Sequence, residues 1–231
     1  MSLRILVWDL PTRVFHWTLA TSFAVAYITS ESERYRDVHV VSGYLLLGLI
    51  GFRVIWGLIG SRHARFASFV RGPAAVIGYL RSLVTPKPEH HVGHNPAGAI
   101  VIVMLLLLAT LTGLTGWMSF NEIGGEAFKE VHEGIATTML VLVAIHVLGV
   151  IVSSRLHREN LARAMITGYK TGPAEKGIAR AHGIIAVLLV AVLATFGWSL
   201  ARGKLPALLD PVAATAEKTD GGHHQHDEAD D

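Results

Sequence analysis

Apolar residues gather into five runs, at 14–28, 39–60, 97–118, 131–152 and 182–201, with polar and charged connections between them. A helix rises 1.5 Å per residue, so about 20 apolar residues cross a hydrocarbon core about 30 Å thick. The pattern therefore predicts an all-α integral membrane protein: a four-helix bundle over 1–177, a fifth spanning helix over 178–203 and a tail over 204–231. No small-residue cleavage pattern follows the first run closely, so it reads as a retained helix. Asp9 and Pro11 suit the start of that helix, and Asn95 and Pro96 the start of the third. The longest polar connection, 61–94, includes an apolar stripe at 73–84 that opens on a proline, and this predicts a helix lying on the membrane surface. An acidic loop precedes the fourth run, and a basic connection, 153–180, follows it.

Four histidines interrupt the apolar pattern in register. His132 and His146 both lie in the fourth run, fourteen residues apart. At roughly 100° per residue their directions differ by only about 40°, and they stand about 21 Å apart along the axis. His16 sits in the first turns of the first helix and His39 opens the second. Ionisable side chains are costly inside a bilayer and face a bundle interior or a site. Two on one stripe, one near each membrane face, suggest two stacked metal centres. Arg53, fourteen residues after His39 and so on its face, needs an anionic partner or a route to the interface.

Composition narrows the chemistry. Hydrophobic residues make up 51% of the chain and charged residues 16%, which disfavours a soluble domain with a solvated surface. There is no cysteine, so thioether-attached haem, thiolate-held iron–sulfur clusters and disulfides are excluded as intrinsic features. Thirteen histidines remain as the main metal-binding resource, and imidazole suits haem iron. His91, His94, His157 and His182 read as solvated groups near one interface, and the acidic, histidine-rich tail as a segment unable to form a core.

Lysines and arginines are unevenly shared among the connections. The N-terminus and the connections 61–94 and 153–180 hold thirteen, and the remaining connections and the tail hold six. This bias places the N-terminus in the cytoplasm and the C-terminus outside, in the periplasm of a bacterial inner membrane. The same topology sorts the histidines by depth. His39 with His132 falls near the outer face and His16 with His146 near the inner one, each pair able to hold a haem. Arg53 falls beside the inner pair, where a haem propionate would neutralise it.

VWDLPTRVFHW, HVVSGYLLLGLIGFRVIWGLIG, GHNPAGA and VHEGIATTMLVLVAIHVLGV together resemble the prokaryotic cytochrome b561 family, which includes the b-type cytochrome subunits of nickel–iron hydrogenases and formate dehydrogenases. The resemblance covers about 7–170. It implies two haem b groups held by His39–His132 and His16–His146, the pairing that depth alone suggests. It also implies that Asn95 resembles an asparagine in a cytoplasmic quinone site, although a plain helix cap explains that residue equally well. The expected function is electron transfer between membrane quinone, as exchangeable substrate, and a periplasmic redox partner. That partner would be a hydrogenase, a dehydrogenase or a soluble cytochrome. A superoxide–quinone oxidoreductase and a haem-free anchor or transporter are the alternatives. No nucleic-acid partner is expected, and assembly as a homo- or hetero-oligomer stays open.

Overall fold

In a computed structural model, residues 3–86 and 88–202 are described, and the tail expected over 204–231 lies outside them. Two short strands and eight helices appear in the order β1 (Leu3–Leu6), α1 (Leu10–Thr29), α2 (Arg36–Ile59), α3 (Phe66–Phe69), α4 (Pro73–Ser82), α5 (Pro96–Phe120), α6 (Glu126–Leu156), α7 (Leu161–Thr167), β2 (Tyr169–Gly172) and α8 (Gly183–Ala201). Contacts divide the chain into two compact units, Met1–Leu189 and Val190–Asp231.

The first unit holds the bundle. Helix α1 packs on α2, α2 on α5, and α5 on α6. Three segments, Glu33–Ile59, Pro96–Phe120 and Glu126–Leu156, are long and apolar enough to cross a membrane. Their outward faces carry large apolar side chains, such as Ile100, Val103, Leu107, Leu111 and Leu114 on α5. A three- to four-residue spacing of exposed leucine, isoleucine and valine is the lipid-facing counterpart of a core stripe. Inside, Phe23 of α1, Leu46 and Ile50 of α2, Ala109 of α5 and Met139 of α6 meet in one buried cluster. All four helices therefore share a mid-depth core.

The chain ends of these helices follow local chemistry. Asp9 caps α1 through a 2.8 Å bond from Thr12 N to its Oδ1, and Pro11 occupies the first turn. Asn95 caps α5 in the same way, accepting from Gly98 N at 2.7 Å. The surface helix expected at 73–84 is α4, which begins on Pro73. The fourth spanning helix starts at Glu126, five residues before the expected 131, because the turn ends at Gly124 and Gly125, both at positive φ.

One end of the bundle bears a small cap that the apolar pattern does not show. Strand β1 pairs antiparallel with β2, Leu3 opposite Gly172 and Leu6 opposite Tyr169. Val7 N and Trp8 N then donate to Gly168 O, and Ile178 N to Leu6 O. Ile5, Val7, Trp8, Val92 and Ala164 form a second buried cluster beneath the strands. The N-terminal segment and the basic connection after α6, expected as connections only, are thus one folded element. Within the second unit, residues 190–202 complete α8, with the Arg202 guanidinium 4.4 Å from the Trp198 ring centroid.

Candidate functional site

The four registered histidines come together in two pairs at opposite ends of the bundle. At the end away from the cap, the His39 and His132 rings stand 6.1 Å apart, centre to centre, at 86°. His39 Nδ1 lies 2.8 Å from Ala26 O, a carbonyl of the last turn of α1, and His132 Nδ1 lies 2.9 Å from Thr112 O of α5. A carbonyl only accepts, so both Nδ1 atoms carry the proton and both Nε2 atoms keep a free lone pair. Such an anchoring bond on the far nitrogen orients and strengthens a metal-binding imidazole. An imidazole nitrogen sits about 2 Å from a bound metal, so two rings clasping one iron have centroids about 6 Å apart. The pair has the spacing and the tautomers for an iron between its rings. Gly116 belongs to this arrangement: a Cβ there would stand 2.9 Å from His132 Cε1 and push the ring from its place.

Toward the capped end, His16 of α1 and His146 of α6 lie within electrostatic reach of each other. Met139 falls midway in sequence between His132 and His146 on α6, and the apolar cluster around it occupies the depth between the two pairs. Several buried polar atoms near the lower pair make no hydrogen bond, among them His16 Nδ1, Arg53 Nη1 and His94 Nδ1. Orphaned buried donors are rare in native structures, and a concentration of them around paired histidines fits a group that brings acceptors of its own. The residues present therefore fit haem at both levels. Among the described residues, histidine and carboxylate side chains form no group of three or more suited to a bare metal ion.

Arg53 is buried, 4% exposed, and its guanidinium lies 4.6 Å from the Phe66 ring centroid. It does not reach out to the interface. Asn95 spends its side-chain oxygen on the helix cap, and beyond it Ala99, Ile100, Val103 and Met104 of α5 line a groove of about 140 Å³ with Val70 and Arg71. A cavity of about 540 Å³ lies in the cap between His90, His157 and Glu159 and is lined by none of the four paired histidines.

Of the interfacial histidines expected to be solvated, His94 is instead packed, against Trp8 at 4.7 Å and Phe69 at 4.4 Å. His182 stands against Trp56 at 5.3 Å and His157 against His90 at 5.1 Å, both half-buried, while the His91 side chain is 35% exposed. Trp8 after β1 and Phe69 of α3 reach His94 only through the fold, which the linear pattern does not register. Burial, reinforced by Arg53, His63 and Lys170, pushes the His94 pKa down to about 3, so the ring is neutral. The only sequence trace of this role is position, since His94 directly precedes the α5 cap and so sits at the mouth of the bundle.

A membrane bundle that sets histidine pairs at two depths defines a class: haem-carrying electron-transfer proteins of the bilayer. The family model for prokaryotic cytochrome b561 matches residues 7–168, and the chain belongs to that family. It is a b-type cytochrome, which implies haem b as its cofactor and electron transport as its work. Similar proteins include probable Ni/Fe-hydrogenase B-type cytochrome subunits. The one from Cupriavidus necator is 24% identical, with 71% of this chain and 86% of the relative covered. Those from Rhizobium leguminosarum bv. viciae and Azotobacter vinelandii are 23% and 25% identical, covering 70% and 71% of this chain and 87% of each relative. No solved structure matches the chain.

Proposed function

We propose that this cytochrome moves electrons across a bacterial inner membrane, between quinone in the bilayer and a redox partner in the periplasm, through two haem b groups. His39 and His132 hold one, and His16 and His146 the other. The observation that carries the reading is the 6.1 Å approach of His39 and His132, each fixed by a carbonyl from a neighbouring helix. When bound, each haem supplies a one-electron couple. Two histidines for each haem would hold its iron for electron transfer rather than for small-molecule chemistry.

The protein's own contribution is placement. The two pairs lie about 21 Å apart along α6 by helix rise, so two centres bridge a low-dielectric barrier that one would not. The apolar layer of Phe23, Leu46, Ile50, Ala109 and Met139 keeps water out between them. The quinone site lies at the capped end, near Asn95 and the groove along α5, whose apolar residues suit a ring and its tail and whose Arg71 offers a donor to a carbonyl. Relatives named as hydrogenase cytochrome subunits support a hydrogenase-type enzyme as the partner.

Purified chain should contain two non-covalent b haems. His39→Ala and His132→Ala should each remove one and the same haem, and His16→Ala and His146→Ala the other. The double variant His39→Ala/His132→Ala should retain one low-spin haem by reduced-minus-oxidised spectroscopy and a haem-to-protein ratio near one. A folded double variant with no haem would overturn the two-centre assignment.

A further inference from the structure

Arg53 and His94 present two buried donors with nothing to receive them. Arg53 Nη1 and His94 Nδ1 both lack a hydrogen-bond partner, and among the described residues Arg53 forms no ion pair. The carboxylate that acts on Arg53 is Asp9, and both its oxygens are already engaged. Oδ1 accepts from Thr12 N at 2.8 Å, and Oδ2 accepts from Trp56 Nε1 at 3.1 Å. Asp9 acts on the buried guanidinium by its charge but makes no ion pair with it, so Arg53 Nη1 is left without an acceptor.

The two donors belong to one cluster. Phe69 packs against both, 4.4 Å from the His94 ring and 6.0 Å from the Arg53 guanidinium, and Trp8 packs against His94 at 4.7 Å. Arg53 and His146 are both near enough to act electrostatically on His94, which sets the cluster beside the lower histidine pair.

We infer that Arg53 and His94 form a two-donor clamp for a propionate carboxylate of the haem held by His16 and His146. The inference rests on the two-haem reading. A carboxylate answers both vacancies: its charge neutralises the guanidinium, and its second oxygen accepts from His94 Nδ1–H. A neutral quinone carbonyl presents a single acceptor atom and adds no negative charge beside the guanidinium. Trp8 and Phe69 act as positioning residues that hold the imidazole in place. The clamp fixes the orientation of the haem and screens the propionate charge from the iron.

The test uses the full two-haem chain and its His94→Phe variant, which keeps an aromatic ring between Trp8 and Phe69 and removes the donor. Each protein is loaded with protohaem or with its propionate dimethyl ester, and both midpoint potentials are read by titration. With protohaem, His94→Phe should lower the potential of the His16–His146 haem, leave the other unchanged and speed release of the affected haem roughly tenfold, as expected for loss of one charge-assisted hydrogen bond. With the ester, the two proteins should match, because no carboxylate remains to clamp. An unchanged potential with protohaem would overturn the clamp, as would a difference that persists with the ester. So would an intact haem potential accompanied by a raised KM for a quinol analogue. Failure of the two-haem reading itself would show separately, as a haem-to-protein ratio of one in the unmodified chain.

Discussion

Asp9 shows how much one side chain holds at the site. It is fully buried, yet its two oxygens tie the first turn of α1 to Trp56 of α2 and its charge acts on Arg53. A lost helix cap costs about 1 kcal/mol, and a lost hydrogen bond to a charged group about 1.5–3 kcal/mol. Asp9→Ala should therefore destabilise the chain by about 3 kcal/mol, measured by thermal unfolding in detergent, and should weaken retention of the His16–His146 haem before the other. An unchanged midpoint would mean that the bonds to Thr12 and Trp56 contribute nothing net. The capping half of this role is legible in the sequence, because an aspartate two residues before a proline at the head of an apolar run has a local meaning. The bond to Trp56 is not, since no local rule relates positions on different helices. The same division holds for His132: its register is readable from spacing, but the Thr112 carbonyl that sets its tautomer depends on how α5 lies against α6.

At the level of elements, the spanning helices are legible because their apolar runs are long and their ends carry capping residues. The cap is not. Strand β1 has four residues, too few for an alternating pattern to stand out, and its partner lies at the far end of the bundle sequence. An ion pair locks this element. Lys170 Nζ of β2 lies 2.9 Å from Glu159 Oε2, with side-chain exposures of 2% and 16%. Burial pushes the Glu159 carboxyl up, but the bond and charge of Lys170, the amide of Thr171 and His90 outweigh it, and the net pKa is depressed. A carboxylate with a depressed folded pKa stabilises fully above its unfolded value, and the stabilisation is lost as pH falls through the folded one. The cap should therefore loosen first on acidification, with β1 amides losing hydrogen-exchange protection while the middle of α6 keeps its own. Lys170→Met leaves Glu159 partly buried and unpaired and should cost about 3 kcal/mol at neutral pH. It should also flatten the acid response, and an acid transition that keeps its midpoint in this variant would assign the pH dependence to another group.

For the whole molecule, the folded cap changes what the basic residues mean. The N-terminus and the connections 61–94 and 153–180 are far apart in sequence, and their thirteen lysines and arginines could have been scattered. Instead β1 pairs with β2, Val7 and Trp8 bond to Gly168, Arg62 Nη1 donates to Glu175 O at 2.9 Å, and Lys170 Nζ donates to His91 O at 3.4 Å. All three segments therefore lie on the same end of the bundle. The opposite end carries the turns before α2 and α6 and the first turns of those helices, where the basic residues are Arg34, Arg36 and Lys129. Lysine and arginine near the ends of spans are retained on the cytoplasmic side, so in the proposed orientation the capped end would face the cytoplasm and the His39–His132 pair the periplasm. On that proposed orientation, electrons exchanged with a periplasmic partner would enter or leave at His39–His132, and quinone would meet the His16–His146 end. A reporter active only outside the cytoplasm, inserted in the turn at 121–125, should be active, and the same reporter inserted at 85–89 should be silent. Reversal of both signals would place the cap outside. It would exchange the partner ends of the two haem sites while leaving the helix packing and both histidine pairs as they are.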